Sequence, residues 1–375
     1  MRLSGRYFPY HPKPQPDELL SSWIIRTAQG HGQTPYVFCH NVWPKTQVWT
    51  RDIDNLGTPL VWRTMAERTG TQPDRAWSTT LRSLEGELIE IYPAVGFARW
   101  ILPLGIYHRM RRRHGLQFCP LCLWQDEKPY FRRHWRLGWV TACIHHGCRL
   151  LDRCHACAEA LAPHRTMDLT LCYSCLADLR EASIDQADGG AMRLQIEAEQ
   201  VLAQGWGICH DWVFQRPFLY FEILRQVVRI LTNGKRAARL RHAVLEAGPI
   251  KGEDRLEAQY RDIEYLTVKD REFLMTLAGY LMTDWPHHFT ETCAMAGVWW
   301  SWAKKENDNL PFAYEDPVKA ALFRQAYIPT MEETRAAVLH LMRQGKKPSS
   351  TNVRLILGET QHLDRVIRSL AWRGR

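Results

Sequence analysis

Four short pairs of metal-ligand residues fall within the 57 positions from Cys119 to Cys175: Cys119/Cys122, Cys143/His146, Cys154/Cys157 and Cys172/Cys175. Two residues separate the members of each pair, the spacing at which a tight knuckle aims two side chains at one ion. The 20 residues between the first two pairs and the 14 between the last two are enough for a hairpin or ribbon to bring each second pair back. Taken in order, the pairs predict two structural Zn2+ sites in tandem, Cys119, Cys122, Cys143, His146 and then Cys154, Cys157, Cys172, Cys175. Both shells are closed, which leaves no position for water or substrate and points to structure rather than catalysis. Zinc binding by such a segment is worth on the order of 10 kcal/mol or more, so the ions are expected to fold this region.

The chain has eleven cysteines, an odd number. Disulfides fit that count poorly, and a reducing compartment disfavours them. Cys39, Cys209 and Cys293 stand apart and suit buried thiols that behave as small hydrophobes. His134, His145, Cys148, His155 and His164 also lie near the pairs, and Cys148 or His145 remains an alternative to His146. Spacing favours His146, which alone keeps the two-residue gap from Cys143.

The net charge of +9 is unevenly placed. Residues 335–375 carry nine Lys/Arg, among them Lys346, Lys347, Arg354, Arg365 and Arg368, against Glu359 and Asp364. A second cluster, Arg109, Arg111, Arg112, Arg113, Arg132, Arg133 and Arg136, brackets the first zinc pair and is interleaved with Trp124, Tyr130, Phe131 and Trp135. Basic groups among aromatics suit phosphate contact and base stacking. A solvated face, or arginines paired with acids of a partner protein, remains open for this cluster. No apolar run approaches the ~20 residues of a membrane span, and a cytoplasmic protein is expected.

Local patterns predict a mainly α-helical chain of three parts: an N-terminal helical domain over 1–115, a tandem zinc-finger module over 116–182, and a C-terminal helical domain over 183–375. Pro16 and Asp17 read as the first turn of a helix whose Leu20, Trp23, Ile24, Thr27 and Ala28 share a face before Gly30 and Gly32 stop it. Residues 59–69 and 73–84 read as a helix pair turning at Gly70–Pro73, the outline of a helix-turn-helix. Two packed helices without DNA contact give the same pattern. Ser183–Gly190 reads as a boundary, followed by helices over 191–204, 217–233, 269–283 and 286–304. Three final helices, 330–344, 350–357 and 360–372, repeat the helix-turn-helix theme on the basic end, with Ser350 and Thr351 as candidate caps.

Catalytic signatures are missing from the sequence. No HxE accompanies the cysteines as a zinc deaminase requires, no HExxH occurs, and Gly234-Lys235 and Gly345-Lys346 lack the GxxxxGK[ST] phosphate cradle. HisxxArg at His108–Arg111 and His362–Arg365 lacks the context of a tyrosine recombinase, since no tyrosine follows the second and the zinc pairs follow the first. The expectation is a protein that is not an enzyme.

Three stretches carry a family resemblance: Pro-Asp-Glu-Leu-Leu-Ser-Ser-Trp-Ile-Ile-Arg at 16–26, Phe-Cys-Pro-Leu-Cys at 118–122, and His-Trp-Arg-Leu-Gly-Trp-Val-Thr-Ala-Cys-Ile-His-His-Gly at 134–147. With Leu150-Leu151 and Cys154-xx-Cys157, residues from about 9 to 180 resemble the TniQ family of transposon target-selection proteins, which includes TnsD-type attachment-site binders. The family pattern maps onto the same eight ligands. The resemblance implies a non-enzymatic adaptor that links a target DNA site to a TnsC-like AAA+ ATPase. It implies that the site is read either directly or through an RNA-guided Cascade complex with its guide RNA, as in CRISPR-associated transposons, where such proteins can form a homodimer. The residues alone equally permit a zinc-containing transcriptional regulator that binds an operator through its helix-turn-helix segments.

Overall fold

The first helix of the computed structural model is buried on every side. It is α1, Leu20–Gly30, and every residue from Leu20 to Ala28 lies in the interior. The structure describes residues 6–357 apart from 95, 97, 109, 206, 210, 211, 215, 235, 249, 251, 252, 255, 257–261, 305, 306, 308 and 324–328, and describes only the backbone of 207–209 and 212–214.

The helix starts four residues later than Pro16 suggests. Asp17 is left-handed (φ 53°) and the chain from it pairs antiparallel with residues 131–133 through a bridge of Glu18 to Arg132, with Leu19 N–H donating to Phe131 O at 3.0 Å and Arg133 N–H to Asp17 O at 2.6 Å. Pairing with a remote strand thus overrides the local helix signal. Two buried acids fix this junction. Glu18 accepts from Arg26 Nε (2.8 Å), Arg26 Nη2 (2.6 Å) and Ser22 Oγ (2.8 Å), while Asp54 accepts from Ser21 N (2.7 Å) and Ser21 Oγ (2.7 Å). Buried carboxylates persist only when partnered in this way.

Around α1 lie α2 (Pro35–Val42), α3 (Ile53–Leu56), α4 (Pro59–Thr69) and α5 (Pro73–Trp77). The expected helix over 73–84 is corrected, because α5 stops at Trp77 and only a 3-10 turn follows at Leu81–Leu84. Hydroxyls of Ser78, Thr79, Thr80 and Ser83 each donate to the carbonyl three residues back, at 2.6–2.9 Å. Such side chains compete with the helix ladder for its acceptors. The freed Thr79 carbonyl accepts from Leu20 N–H at 2.9 Å, so the break anchors the start of α1.

The hairpin β1–β2 (Ile106–Tyr107, Met110–Arg111) leads to α6 (Pro120–Gln125) and the hairpin β3–β4 (Ala142–Cys143, Cys148–Arg149). Next come α7 (Gly189–Gln204), the hairpin β5–β6 (Gly207–Cys209, Trp212–Phe214), α8 (Pro217–Thr232), α9 (Ala237–Ala247), α10 (Val268–Met282), α11 (His287–Met295), α12 (Trp300–Lys304) and α13 (Phe312–Leu322). The expected helix over 286–304 is two helices. Gly297 (φ 69°) lets Val298 N–H return to Cys293 O at 2.7 Å, which closes α11.

The chain divides into two compact units, residues 1–322 and 323–375. In the first, one apolar cluster runs from Phe8 to Leu322 and takes in five of the eight candidate ligands. The helices α7 and α10 cross closely where glycines face them: a Cβ on Gly279 would stand 3.2 Å from Gly190 O and 3.3 Å from Leu194 Cβ. In the second unit, α14 (Met331–Arg343) starts with a capping box between Thr330 and Glu333, and α15 (Ser350–Leu357) follows a turn at Gly345 (φ 66°). Ser349, rather than Ser350 or Thr351, accepts the Asn352 N–H at the start of α15 (3.2 Å). Ala337, Val338, Leu341 and Val353 form its core. The expected helix over 360–372 lies outside the described residues.

Gln195 of α7 ties the C-terminal helices to the hairpin that carries Cys143. It is 1% exposed; its Oε1 accepts from Thr141 N and Ala142 N (both 3.1 Å) and its Nε2 donates to Ala142 O (2.9 Å). Gln195→Ala orphans these backbone groups and is expected to cost about 3 kcal/mol in chemical denaturation, since each buried unpaired group costs ~1–3 kcal/mol. An unchanged midpoint would refute this bracing.

Candidate metal centres and the basic surface

The eight residues chosen by spacing converge as two groups of four. In each, one donor atom per residue lies within 4.8 Å of the others. In the first, His146 Nδ1 is 3.4 Å from Cys119 Sγ, 3.4 Å from Cys122 Sγ and 3.3 Å from Cys143 Sγ, and the Cys122 and Cys143 sulfurs are 3.5 Å apart. In the second, Cys154–Cys175 and Cys157–Cys172 each stand at 3.6 Å. Donors at zinc's bond lengths of about 2.0–2.3 Å sit roughly 3.5–3.8 Å apart along the edges of a tetrahedron, so both sets fit a tetrahedral ion. Bound there, zinc would supply a crosslink between distant turns.

Repeated local backbone builds the sites. Cys143–His146, Cys154–Cys157 and Cys172–Cys175 each end in a left-handed residue, Gly147 (φ 61°), Ala158 (φ 60°) and Leu176 (φ 62°). The N–H of that residue returns to the carbonyl of the first ligand at 2.8, 3.0 and 3.0 Å. Amides also reach the sulfurs, Ala156 N to Cys154 Sγ and Ser174 N to Cys172 Sγ, both at 3.4 Å. Only the first pair differs, with Cys119 capping α6 through Cys122 N–H at 3.5 Å. Glycine after His146 marks the turn, whereas Ala158 and Leu176 conceal it in the other two.

Around the first set, His146 Nε2 donates to Gln125 Oε1 at 2.8 Å, which fixes the tautomer and leaves Nδ1 for the ion. Spacing gives no hint of Gln125. His145 is exposed and lies outside the converging four. His134 binds Asp17 (2.5 Å), His155 donates to the Asp178 carbonyl (3.0 Å), and His164 stacks on Trp49 at 4.9 Å. Cys39 and Cys293 are buried, and burial pushes their thiols up, as inert core cysteines require. The side chain of Cys209 lies outside the described residues.

Several arginines of the basic cluster beside these sites are committed to partners within the chain. Arg111 is buried, lowered by burial to about 10, and donates to Leu161 O at 2.7 Å. Arg132 makes two bonds to Asp126 (2.8 and 3.0 Å) and lies over the rings of Tyr130 (4.3 Å) and Trp135 (4.8 Å). Arg133 binds Asp17 (3.0 Å) and Ser83 (2.6 Å), and Arg136, wholly buried, binds Asp52 (2.6 Å) and Leu102 O (2.7 Å). Sequence cannot tell a solvated arginine from a clamp, because the acids that hold these arginines lie up to 116 residues away. Arg112 and Arg113 are exposed, stacked on Tyr107 (4.0 Å) and Tyr265 (4.3 Å). In the second unit Lys346 and Lys347 are exposed and Arg354 is half-buried. Arg365 and Arg368 lie outside the described residues, as does Arg109.

The TniQ family model matches residues 9–150, the stretch that holds α1, the arginine clamps and the whole first tetrad. Over this stretch the chain is similar to the TniQ family. The match ends before Cys154, so the second tetrad rests on its own geometry. No curated protein matches the chain. TniQ proteins form a non-catalytic family associated with transposition, in an adaptor role. Among the described residues, no helix is long and apolar enough to cross a membrane.

Two outcomes test these assignments. Cys119→Ser and Cys154→Ser should each lose about one of two metal equivalents by elemental analysis, with a lowered melting temperature. Full metal content with an unchanged melt would discard the sites. Separately, burial alone would raise the Asp17 carboxyl, but its bonds to His134 and the Arg133 charge outweigh that and hold it at about 2, against an ordinary 3.8. Its contribution is therefore present above about pH 4 and lost as pH falls toward 2. Asp17→Asn should flatten the acid limb of the stability curve in that window; an identical limb would show that Asp17 carries no such charge pairing.

Proposed function

We propose that this protein is a non-enzymatic target-selection adaptor of DNA transposition, linking a target DNA site to a transposon AAA+ ATPase of the TnsC type. The observation that carries the reading is the TniQ match over residues 9–150, in a region whose conspicuous polar residues fix the start of α1 and join it to the segment between the first two ligand pairs. In this reading two Zn2+ ions at Cys119, Cys122, Cys143, His146 and at Cys154, Cys157, Cys172, Cys175 are structural. They hold the TniQ region in shape for a partner and take no part in chemistry.

DNA contact falls to the basic C-terminal end. Lys346 and Lys347 stand exposed on the turn between α14 and α15, a helix pair of helix-turn-helix outline, and the Arg365 and Arg368 of the same basic segment join them in this proposal. The address is read either by these helices or by a guide-RNA-bearing Cascade complex that the protein joins, alone or as a homodimer.

Binding of the zinc-loaded protein to a randomised duplex library across a salt series tests the reading. An enriched sequence that survives higher salt marks direct reading, and weak, unenriched binding marks an address supplied by another complex. In the direct case, Lys346→Glu with Lys347→Glu should weaken binding and reduce the salt slope by about 2, near 0.9 for each phosphate the lysines no longer neutralise. Arg132→Ala should leave that slope unaltered. An unaltered slope in the lysine variant removes the turn from the DNA interface. Failure of the protein to bind the ATPase encoded with its own transposon, with or without DNA, would overturn the adaptor role.

A further inference from the structure

The first metal centre has five donors for four positions. The register of β3 and β4 sets Cys148 directly opposite Cys143, at the edge of the cluster. Cys148 is 1% exposed, and its Sγ is 3.6 Å from Cys119 Sγ, the same spacing as the sulfur pairs of the second tetrad. His146 holds the solvent side, half-buried, with its Nε2 on Gln125. Three thiols are thus common to either shell, and an imidazole on the wet face and a thiol on the core face compete for the fourth place.

We propose that Cys148 is a reserve ligand of the first zinc, closing the shell when His146 is displaced and turning a site of three thiolates and one imidazole into a site of four thiolates. In the exchange the zinc–Nδ1 bond breaks, the zinc–Sγ bond forms, and the Cys148 thiol proton passes to the freed imidazole. Zinc accepts either donor without geometric preference, and thiolate is the softer ligand. Little movement is needed, because the two-rung ladder already holds Cys148 beside Cys143. The device lets the His146 loop yield to a contact at the surface without releasing the ion that fastens the core.

The proposal rests on the zinc reading and is tested on the full chain loaded with Co2+, whose thiolate-to-metal absorption reports the number of bound sulfurs. Wild type and Cys148→Ser should each bind two ions through seven thiolates. His146→Ala should keep two ions with absorption raised to that of eight, and His146→Ala with Cys148→Ser should lose one ion. Loss of an ion from His146→Ala alone, or retention without the added absorption, overturns the proposal. Fewer than two ions in wild type would instead overturn the zinc reading beneath it. Should His146→Ala not fold, release of zinc to a chelator decides: Cys148→Ser should give up one ion several-fold faster than wild type, and equal rates overturn the reserve role.

Discussion

Thiols and an imidazole converge to 3.3–3.6 Å from one another in two groups of four, an arrangement that could hold a divalent ion at each. The remainder of the first unit is arranged around that constraint. Cys119 caps α6, Cys143 lies on β3, and Cys122 and Cys154 reach into the apolar cluster that extends from Phe8 to Leu322. A metal bound there would crosslink pieces of chain whose hairpins have only two residues per strand. Strands so short are marginal alone, and bound metal would add a constraint that the ladders lack.

The second organising element is a set of buried ion pairs. The half-buried Asp17 with Arg133, and Asp52 and Asp54 with the buried Arg136, join the N-terminal helices to the segment between the first two ligand pairs, while the buried Glu18 with Arg26 fixes the start of α1. Removing one member of such a pair leaves a buried charge and is costly, while the intact pair adds modestly to stability; the value of the arrangement is in fixing one geometry. Asp54 shows the strain of this crowding. Burial first, and then the neighbouring Asp52, raise it to about 6 despite Arg136. The same pairs explain why a cluster rich in arginine and aromatic residues presents so little free charge. Arg132 and Arg133 commit their guanidinium groups to Asp126, Asp17 and Ser83, leaving Arg112 and Arg113 as the exposed members beside Tyr107 and Tyr265.

Much of this is legible in the sequence where the signal is local. Ligand spacing selects all eight donors, and the helices α7, α8, α10, α14 and α15 begin and end within two residues of their expected bounds, because Asp188, Pro217, Thr267 and Thr330 are strong start signals. Illegible are the features decided by distant partners. The start of α1 moves because residues 131–133 pair with Asp17–Leu19, and α5 ends early because hydroxyls take its acceptors. Helices α2, α9 and α13 are not among the expected elements, since their apolar faces are matched to neighbours that no local window contains.

The sequence by itself determined which atoms can bind metal, that the chain is mainly helical, and, over residues 9–150, its similarity to the TniQ family. Those properties depend on residue type and short-range spacing, which a linear string contains in full. Tertiary structure decided which arginines are clamps, that Gln125 orients His146, and that Cys148 lies against the first tetrad on its core side. Each of these is a contact across an interval of chain set by how the hairpins and helices pack, and a side chain's role follows from the partner that packing delivers to it.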